Sequence, residues 1–277
     1  MTHSDPTPPP TATRRLAVIG GGMMGGAILE GALDAGWSRD DVTVTVKLPH
    51  ERERWEKLGV RLSDDNSEAV RDADVVLVGV KPHIVPTVLT EIADALPSDA
   101  VVASIAAGVT LATLESSLPS GTPVVRVMPN IPAIVGRSVS ALSAGTTTSA
   151  QHMEAVQALL DSVGVTVIVD EKDLDAVTAV SGSGPAYVFA LAEAMIDGGV
   201  QLGLTRAVAT RLALETIRGA ATMLTDMDTH PTLLREQVVS PGGTTAAALR
   251  EFSRGGLHST VVAGMEACHE RSRQLGG

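Results

Sequence analysis

From Arg14 to about Asp170 the chain alternates short β-branched apolar runs with segments of helical periodicity, and Gly, Pro or Asp bounds each run. That rhythm predicts a parallel α/β sheet. The expected strands are Leu16 to Ile19, Val42 to Val46, Val75 to Val80, Val101 to Ile105, Val124 to Met128, Ser138 to Leu142 and Val165 to Val169. Several are near-continuous apolar runs, as in strands covered on both faces. After Asp173 the strand signal stops, and helical patterns follow at Ala186 to Val200, Thr205 to Leu224, Thr245 to Phe252 and Leu257 to Gln274. The expected organisation is a tail over residues 1–13, a parallel α/β domain over 14–170 and an all-helical domain over 171–277. The segment Ala207 to Leu224 is apolar around much of its circumference, more than a small helical domain can cover, so a partner subunit is expected.

Composition narrows the functional classes. With two Trp, two Phe and one Tyr among 277 residues, the core must be built from Ala, Val, Leu and Ile, and base-stacking platforms are excluded. A formal net charge of -11 repels a phosphate backbone, which argues against a nucleic-acid binder. Cys268 is the single cysteine, so neither an intramolecular disulfide nor a Cys-rich metal site can form, and a reducing cytoplasm is the expected compartment. Its expected role is a small packed residue on a helix. No metal site is expected. The stretch Ala176 to Ala192 contains SGSGP and is expected to interrupt any membrane span, so no membrane partner is foreseen. The Pro-rich tail MTHSDPTPPPTATRR lacks the apolar core of a secretory signal and reads as disordered.

The first strand leads into LAVIGGGMMGGAILEGAL, which sets Gly20, Gly22 and Gly25 in G-x-G-x-x-G register at a strand-to-helix turn. In a dinucleotide fold the first glycine allows the turn, the second admits the pyrophosphate and the third lets the helix pack on the sheet. At the end of the second strand, where an NADH site usually carries an acid, the sequence reads VTVTVKLPHERER. Lys47 occupies that place, with Arg52 and Arg54 behind it, so charge favours NADPH while NADH stays possible. Arg52 and Arg54 suit a solvated helix face equally well.

The segment VVSPGGTTAAALREF places Pro241, Gly242 and Gly243 before a helix-forming run. Free N–H groups from Gly243 to Thr245 at a helix start suit a carboxylate, and Thr245 adds a hydroxyl beside it. The same residues also make an ordinary glycine turn with a Thr cap. The four lysines are Lys47, Lys57, Lys81 and Lys172, so no lysine beyond 172 can act as the acid of a hydroxyacid dehydrogenase or form a Schiff base. His83, His230, His258 and His269 follow no metal or triad spacing. Tyr187 reads as a packed helix residue and not as a proton donor. A sensor that binds the nucleotide without chemistry is disfavoured by the intact SPGGTT loop.

Six blocks together resemble the pyrroline-5-carboxylate reductase family, which makes L-proline: IGGGMMGGAI at 19–28, VKPHIVPTVL at 80–89, SIAAGVTL at 104–111, MPNIPAIVG at 128–136, SGSGPAYVFALAEAMIDGGVQLGL at 181–204 and SPGGTT at 240–245. The resemblance implies a Rossmann-like dinucleotide-binding domain over 14–170 joined to a helical dimerisation domain, in a homodimer with interlocked helical domains that commonly assembles further into a decamer. It implies a cofactor along Gly20, Gly22, Met23, Met24 and Gly25, near Asn66, the turn Val80, Lys81, Pro82 and the segment Ala106, Ala107, Gly108. The small-molecule substrate's carboxylate would rest on Gly242, Gly243, Thr244 and Thr245, with the Thr245 hydroxyl on the ring nitrogen as the catalytic contact. Glu171 falls near a substrate-proximal acid of the family, although a one-residue slip puts Lys172 there. Arg137 and Ser138 stand in a turn usually richer in glycine, and Gln237 is the polar residue before SPGG.

Overall fold

A computed structural model describes residues 14–47 and 49–276, so the expected tail over 1–13 lies outside the described residues. Two compact units are present among them, one containing residues 14–182 with 269–276, the other residues 183–268.

The first unit holds eight strands: β1 (Leu16–Ile19), β2 (Val42–Thr45), β3 (Arg61–Ser63), β4 (Val75–Val78), β5 (Val101–Ser104), β6 (Val124–Met128), β7 (Ser138–Ala144) and β8 (Gly164–Ile168). Their order across one sheet is β3-β2-β1-β4-β5-β6-β7-β8. Two features depart from the sequence expectation. The three-residue β3, whose Arg61 and Ser63 flank Leu62, carries no apolar run and was not foreseen. The sheet is also mixed, because β6 and β7 pair antiparallel while every other neighbour is parallel. The link from Met128 to Ser138 is shorter than the roughly dozen residues that a parallel crossover requires, so the chain must turn back.

Helices α1 (Met23–Asp34), α2 (Pro49–Leu58), α3 (Asn66–Val70), α4 (Val85–Ile92), α5 (Leu111–Ser116), α6 (Ala150–Leu160) and α7 (Leu174–Val177) belong to the same unit. The sheet separates two apolar cores. Leu16, Val18, Leu77 and Ala103 point into one with Ile28 and Leu29 of α1 and Leu159 of α6. Ala17, Ile19, Val76 and Val102 point into the other with Leu89 and Ile92 of α4 and Leu114 of α5. Successive strand residues thus serve opposite cores, which is why the strands read as unbroken apolar runs. Each fully buried Leu or Ile contributes about 1.5–3 kcal/mol.

The second unit contains α8 (Gly184–Gln201), α9 (Arg206–Asp226), α10 (Pro231–Gln237), α11 (Thr244–Arg254) and the start of α12 (Leu257–Gly276). Small residues allow α8 and α9 to pack closely: a Cβ on Gly199 would stand 3.0 Å from that of Ala209. Little else is covered, since Phe189, Leu191, Leu202, Leu212 and Leu214 are each at least half exposed. The end of α12 returns to the first unit, where Ser272 donates to Asp175 at 2.6 Å and the Leu275 carbonyl lies against Gly108.

The regular α-helix is interrupted at SGSGP, with a bend at Ser183, but helical structure resumes at once. Thr178–Gly182 forms a π turn, and Pro185 sits in the first turn of α8, where its missing N–H has no helical partner to lose. The helical run Glu171–Gln201 holds an 18-residue window of mean hydropathy 1.2, by length and composition long and apolar enough to cross a membrane.

Candidate functional site

Parallel pairing puts five expected binding segments along one edge of the sheet. Gly20 follows β1, Lys47 follows β2, Asn66 follows β3, Val80 follows β4 and Ala106 follows β5. The in-register pairs Ile19 with Thr45, Thr45 with Ser63, Ile19 with Val78 and Val78 with Ser104 place those strand ends side by side. Strand order reverses between β1 and β4, and in open α/β sheets such a switch point opens the crevice that takes the ligand.

The glycines at that crevice are required by space. Gly20 has φ +92°, and a Cβ on it would lie 2.9 Å from the Gly79 carbonyl. A Cβ on Gly25 would lie 2.5 Å from the Gly20 carbonyl oxygen. Gly22 caps α1 in extended conformation, and no side chain bonds to that cap. No acid lies in the first turn, so the positive end of the α1 dipole is not neutralised from within the helix. Met23 is exposed and Met24 half-buried at this helix start. A pyrophosphate suits this cradle, because backbone N–H groups and the absence of Cβ atoms are what its close approach needs.

The basic residues behind β2 divide. Lys47 is exposed at the strand end. Arg52 pairs with Asp64 at 2.8 Å and Arg54 with Glu30 at 2.7 Å, both on the surface, so they form an ion-paired helix face. Asn66 is buried at the start of α3, which Asp65 caps, and its amide donates to Glu91 at 3.0 Å. Val80 is half-buried, with Cγ1 3.0 Å from the Cβ position of Gly20, while Lys81 caps the short turn begun by Pro82. Ala106 is buried, Ala107 exposed, and Gly108 has φ +77°.

Glu171 is held inside the first unit. One carboxylate oxygen accepts from the Leu111 amide at 2.6 Å, at the start of α5, and from Arg126 of β6 at 2.8 Å. Neighbouring Lys172 pairs with Asp170 at 3.1 Å in solvent, and that hydrogen bond holds its ammonium pKa up.

In the second unit, Gly242 has φ +70° and the Gly243 amide donates to the Ser240 carbonyl at 3.0 Å. Gly243 then caps α11 with no side-chain bond and no acid in the first turn. Thr244 and Thr245 open the helix, exposed and half-buried. No threonine oxygen caps the helix, and the Gly243 N–H, expected to be free, is spent on the Ser240 carbonyl, so the anion-accepting N–H groups begin at Thr244. Ser183 Oγ and Cys268 Sγ stand 3.2 Å apart. Burial and then hydrogen bonding to Cys268 push the Tyr187 phenol above its usual range.

Comparison with known proteins decides the family. A family model described as pyrroline-5-carboxylate reductase dimerisation matches residues 171–275, and one described as NADP oxidoreductase coenzyme F420-dependent matches 15–108. A pyrroline-5-carboxylate reductase of Corynebacterium melassecola is 43% identical over 265 residues, covering 94% of this chain and 98% of its own. The chain belongs to the pyrroline-5-carboxylate reductase family. A Coxiella burnetii pyrroline-5-carboxylate reductase structure superposes with a TM-score of 0.92 at 32% identity, covering 96% of this chain and 100% of that one. A Plasmodium falciparum pyrroline carboxylate reductase with NADP bound gives 0.84 at 31%, covering 95% and 98%.

Pyrroline-5-carboxylate reductases are oxidoreductases, and the two family models divide the expected residues between them. Gly20 through Gly108 fall within the oxidoreductase match, and Glu171 with the SPGGTT loop within the dimerisation match. The name of the latter fits the apolar positions that α8 and α9 leave exposed. Sequence reasoning overlooked two residues of this reductase-family chain. Asn130 is buried after β6, accepts from Val139 and Ser138, and donates to the Ser181 carbonyl at 2.9 Å, fixing the π turn before α8. Trp55 of α2 is fully buried under the glycine turn. The MPN and SGSG blocks signalled the first, whereas Trp55 stands in no recognisable motif.

Proposed function

We propose that the chain reduces 1-pyrroline-5-carboxylate to L-proline with a nicotinamide dinucleotide, the last step of proline biosynthesis. The observation that carries this reading is the line of Gly20, Lys47, Asn66, Val80 and Ala106 along the carboxyl edge of five parallel strands, in a chain of this family. When bound, the nicotinamide supplies a hydride to the imine carbon. The glycine turn and the α1 amides hold the pyrophosphate of that cofactor, and Met23 and Met24 flank it. The amides of Thr244 and Thr245, presented by the turn of Gly242 and the cap residue Gly243, hold the substrate carboxylate. The Thr245 hydroxyl contacts the ring nitrogen and relays a solvent proton to it, so that hydride on carbon and this proton on nitrogen together turn C=N into the CH–NH of a cyclic secondary amine. No strong base is required.

The exposed charge of Lys47 favours NADPH over NADH, because a 2'-phosphate gains an ion pair there that a free hydroxyl does not. The working unit is a homodimer in the cytoplasm, with a decamer of five dimers as the expected larger assembly. The uncovered apolar helices of residues 183–268 support association. The test is loss of reduced-nicotinamide absorbance when purified protein meets pyrroline-5-carboxylate, run with NADPH and with NADH. Turnover with a higher kcat/KM for NADPH is the expected result, and no turnover with either in folded, oligomeric protein would overturn the assignment.

A further inference from the structure

We propose that Trp55 is a positioning residue for the nucleotide, a wedge whose indole sets the shape of the Gly20–Gly25 turn and for which Gly21 and Gly26 are the matching gap. The inference rests on the reading of that turn as the nucleotide site. A dinucleotide turn needs three glycines, yet the run from Gly20 to Gly26 contains five. Conformation does not explain the additional two, since neither Gly21 nor Gly26 has positive φ. Space does. A Cβ on Gly21 would lie 2.7 Å from Trp55 Nε1 and 3.2 Å from Cε2, and one on Gly26 would lie 3.0 Å from Cζ2. The indole therefore fills the volume that two side chains would otherwise occupy.

The wedge is held at a polar cost. Trp55 is fully buried, and its indole N–H has no acceptor among the described residues. A buried donor without a partner destabilises a fold, and a neutral ring of similar shape would avoid the penalty. The adjoining Arg54 lies 4.6 Å from the indole centroid and binds Glu30 of α1. One helix thus presses on the turn through Trp55 and ties to α1 through Arg54, and α1 is the helix whose N-terminus faces the cofactor phosphates. Trp55 acts through the turn, so it governs nucleotide affinity more than the rate once nucleotide is bound.

The experiment uses the intact oligomer, with NADPH and NADH affinity from isothermal titration calorimetry and kcat for pyrroline-5-carboxylate at saturating nucleotide. Trp55→Phe removes the pyrrole atoms that face Gly21 and is expected to weaken nucleotide binding about tenfold. Its kcat is expected to stay within about twofold. Gly21→Ala is expected to weaken binding about tenfold in the parent and no more than about threefold in the Trp55→Phe background, where the space has opened. An equal penalty in both backgrounds, or unchanged affinity in Trp55→Phe, overturns the wedge. Parent protein that binds neither nucleotide overturns the reading of the site itself, and the wedge with it.

Discussion

Glu171 offers the sharpest test, because its position in the fold and its expected place near the substrate call for different phenotypes. Replacing it with Ala removes two charge-assisted hydrogen bonds made by one oxygen, to the Leu111 amide and to Arg126. Arg126 is then left with its side chain only 12% exposed and no counter-charge among the described residues, while the first turn of α5 loses a cap. Breaking a fully buried pair costs about 3–5 kcal/mol, and a hydrogen bond to a charged group is worth about 1.5–3 kcal/mol. Glu171 is 33% exposed, so water reaches part of the gap, and a loss of about 2–3 kcal/mol is expected. For a unit of this size that corresponds to a fall in Tm of about 4–12 °C. Tryptophan fluorescence reports on this unit alone, since Trp37 and Trp55 both lie in it. Urea unfolding followed by that signal measures the loss. Glu171→Gln keeps an acceptor for Leu111 and should lose about half as much. If Glu171→Ala unfolds within about 0.5 kcal/mol of the parent, the argument from Arg126 and Leu111 fails. A large rise in KM for the substrate at unchanged stability would return Glu171 to the substrate site.

Three further outcomes are expected. Thr245→Ala should lower kcat about tenfold in steady-state turnover, the value of one polar transition-state contact of about 1.4 kcal/mol, and an unchanged kcat would remove Thr245 from the mechanism. Lys47→Ala should raise KM for NADPH several-fold while leaving that for NADH within about twofold, read from parallel titrations. Tyr187 is the chain's single tyrosine, so its phenolate absorbance can be titrated without ambiguity, and the midpoint should lie above 10.0 and move down in Cys268→Ala. The folded chain then keeps a proton that the unfolded chain has already released. Stability is therefore present in full below about pH 10 and falls as pH rises through the folded midpoint.

What could be read in advance follows from how local each signal is. The strands β1, β4 and β5 were legible because both their faces are buried, which leaves runs such as VVLV with no polar interruption. The edge strand β3 was not, because half of its three residues' surroundings are solvent and its pattern is that of a loop. The glycine turn was legible since strand, turn and helix follow one another within ten residues or so. The partners of Arg52, Arg54 and Glu171 come from elements distant in sequence, and no pattern at those positions announces Asp64, Glu30 or Arg126. The complementarity of Trp55 with Gly21 is of the same kind, a fit of shapes between α2 and the turn that only the folded chain displays.

The return of α12 to the first unit has a consequence for how the protein is made. The nucleotide-binding unit is discontinuous, for residues 269–276 complete it after the whole helical segment has been synthesised. On a ribosome the sheet can pair early, but the links from Ser272 to Asp175 and from Leu275 to Gly108 close only after the helical segment between them has been made. Contacts so far apart in sequence carry the largest loop-closure cost and form late. Removing residues 269–276 is therefore a lesion in the dinucleotide fold, and nascent chains stalled before Ser272 should hold a sheet whose Ala106–Gly108 segment lacks its final support.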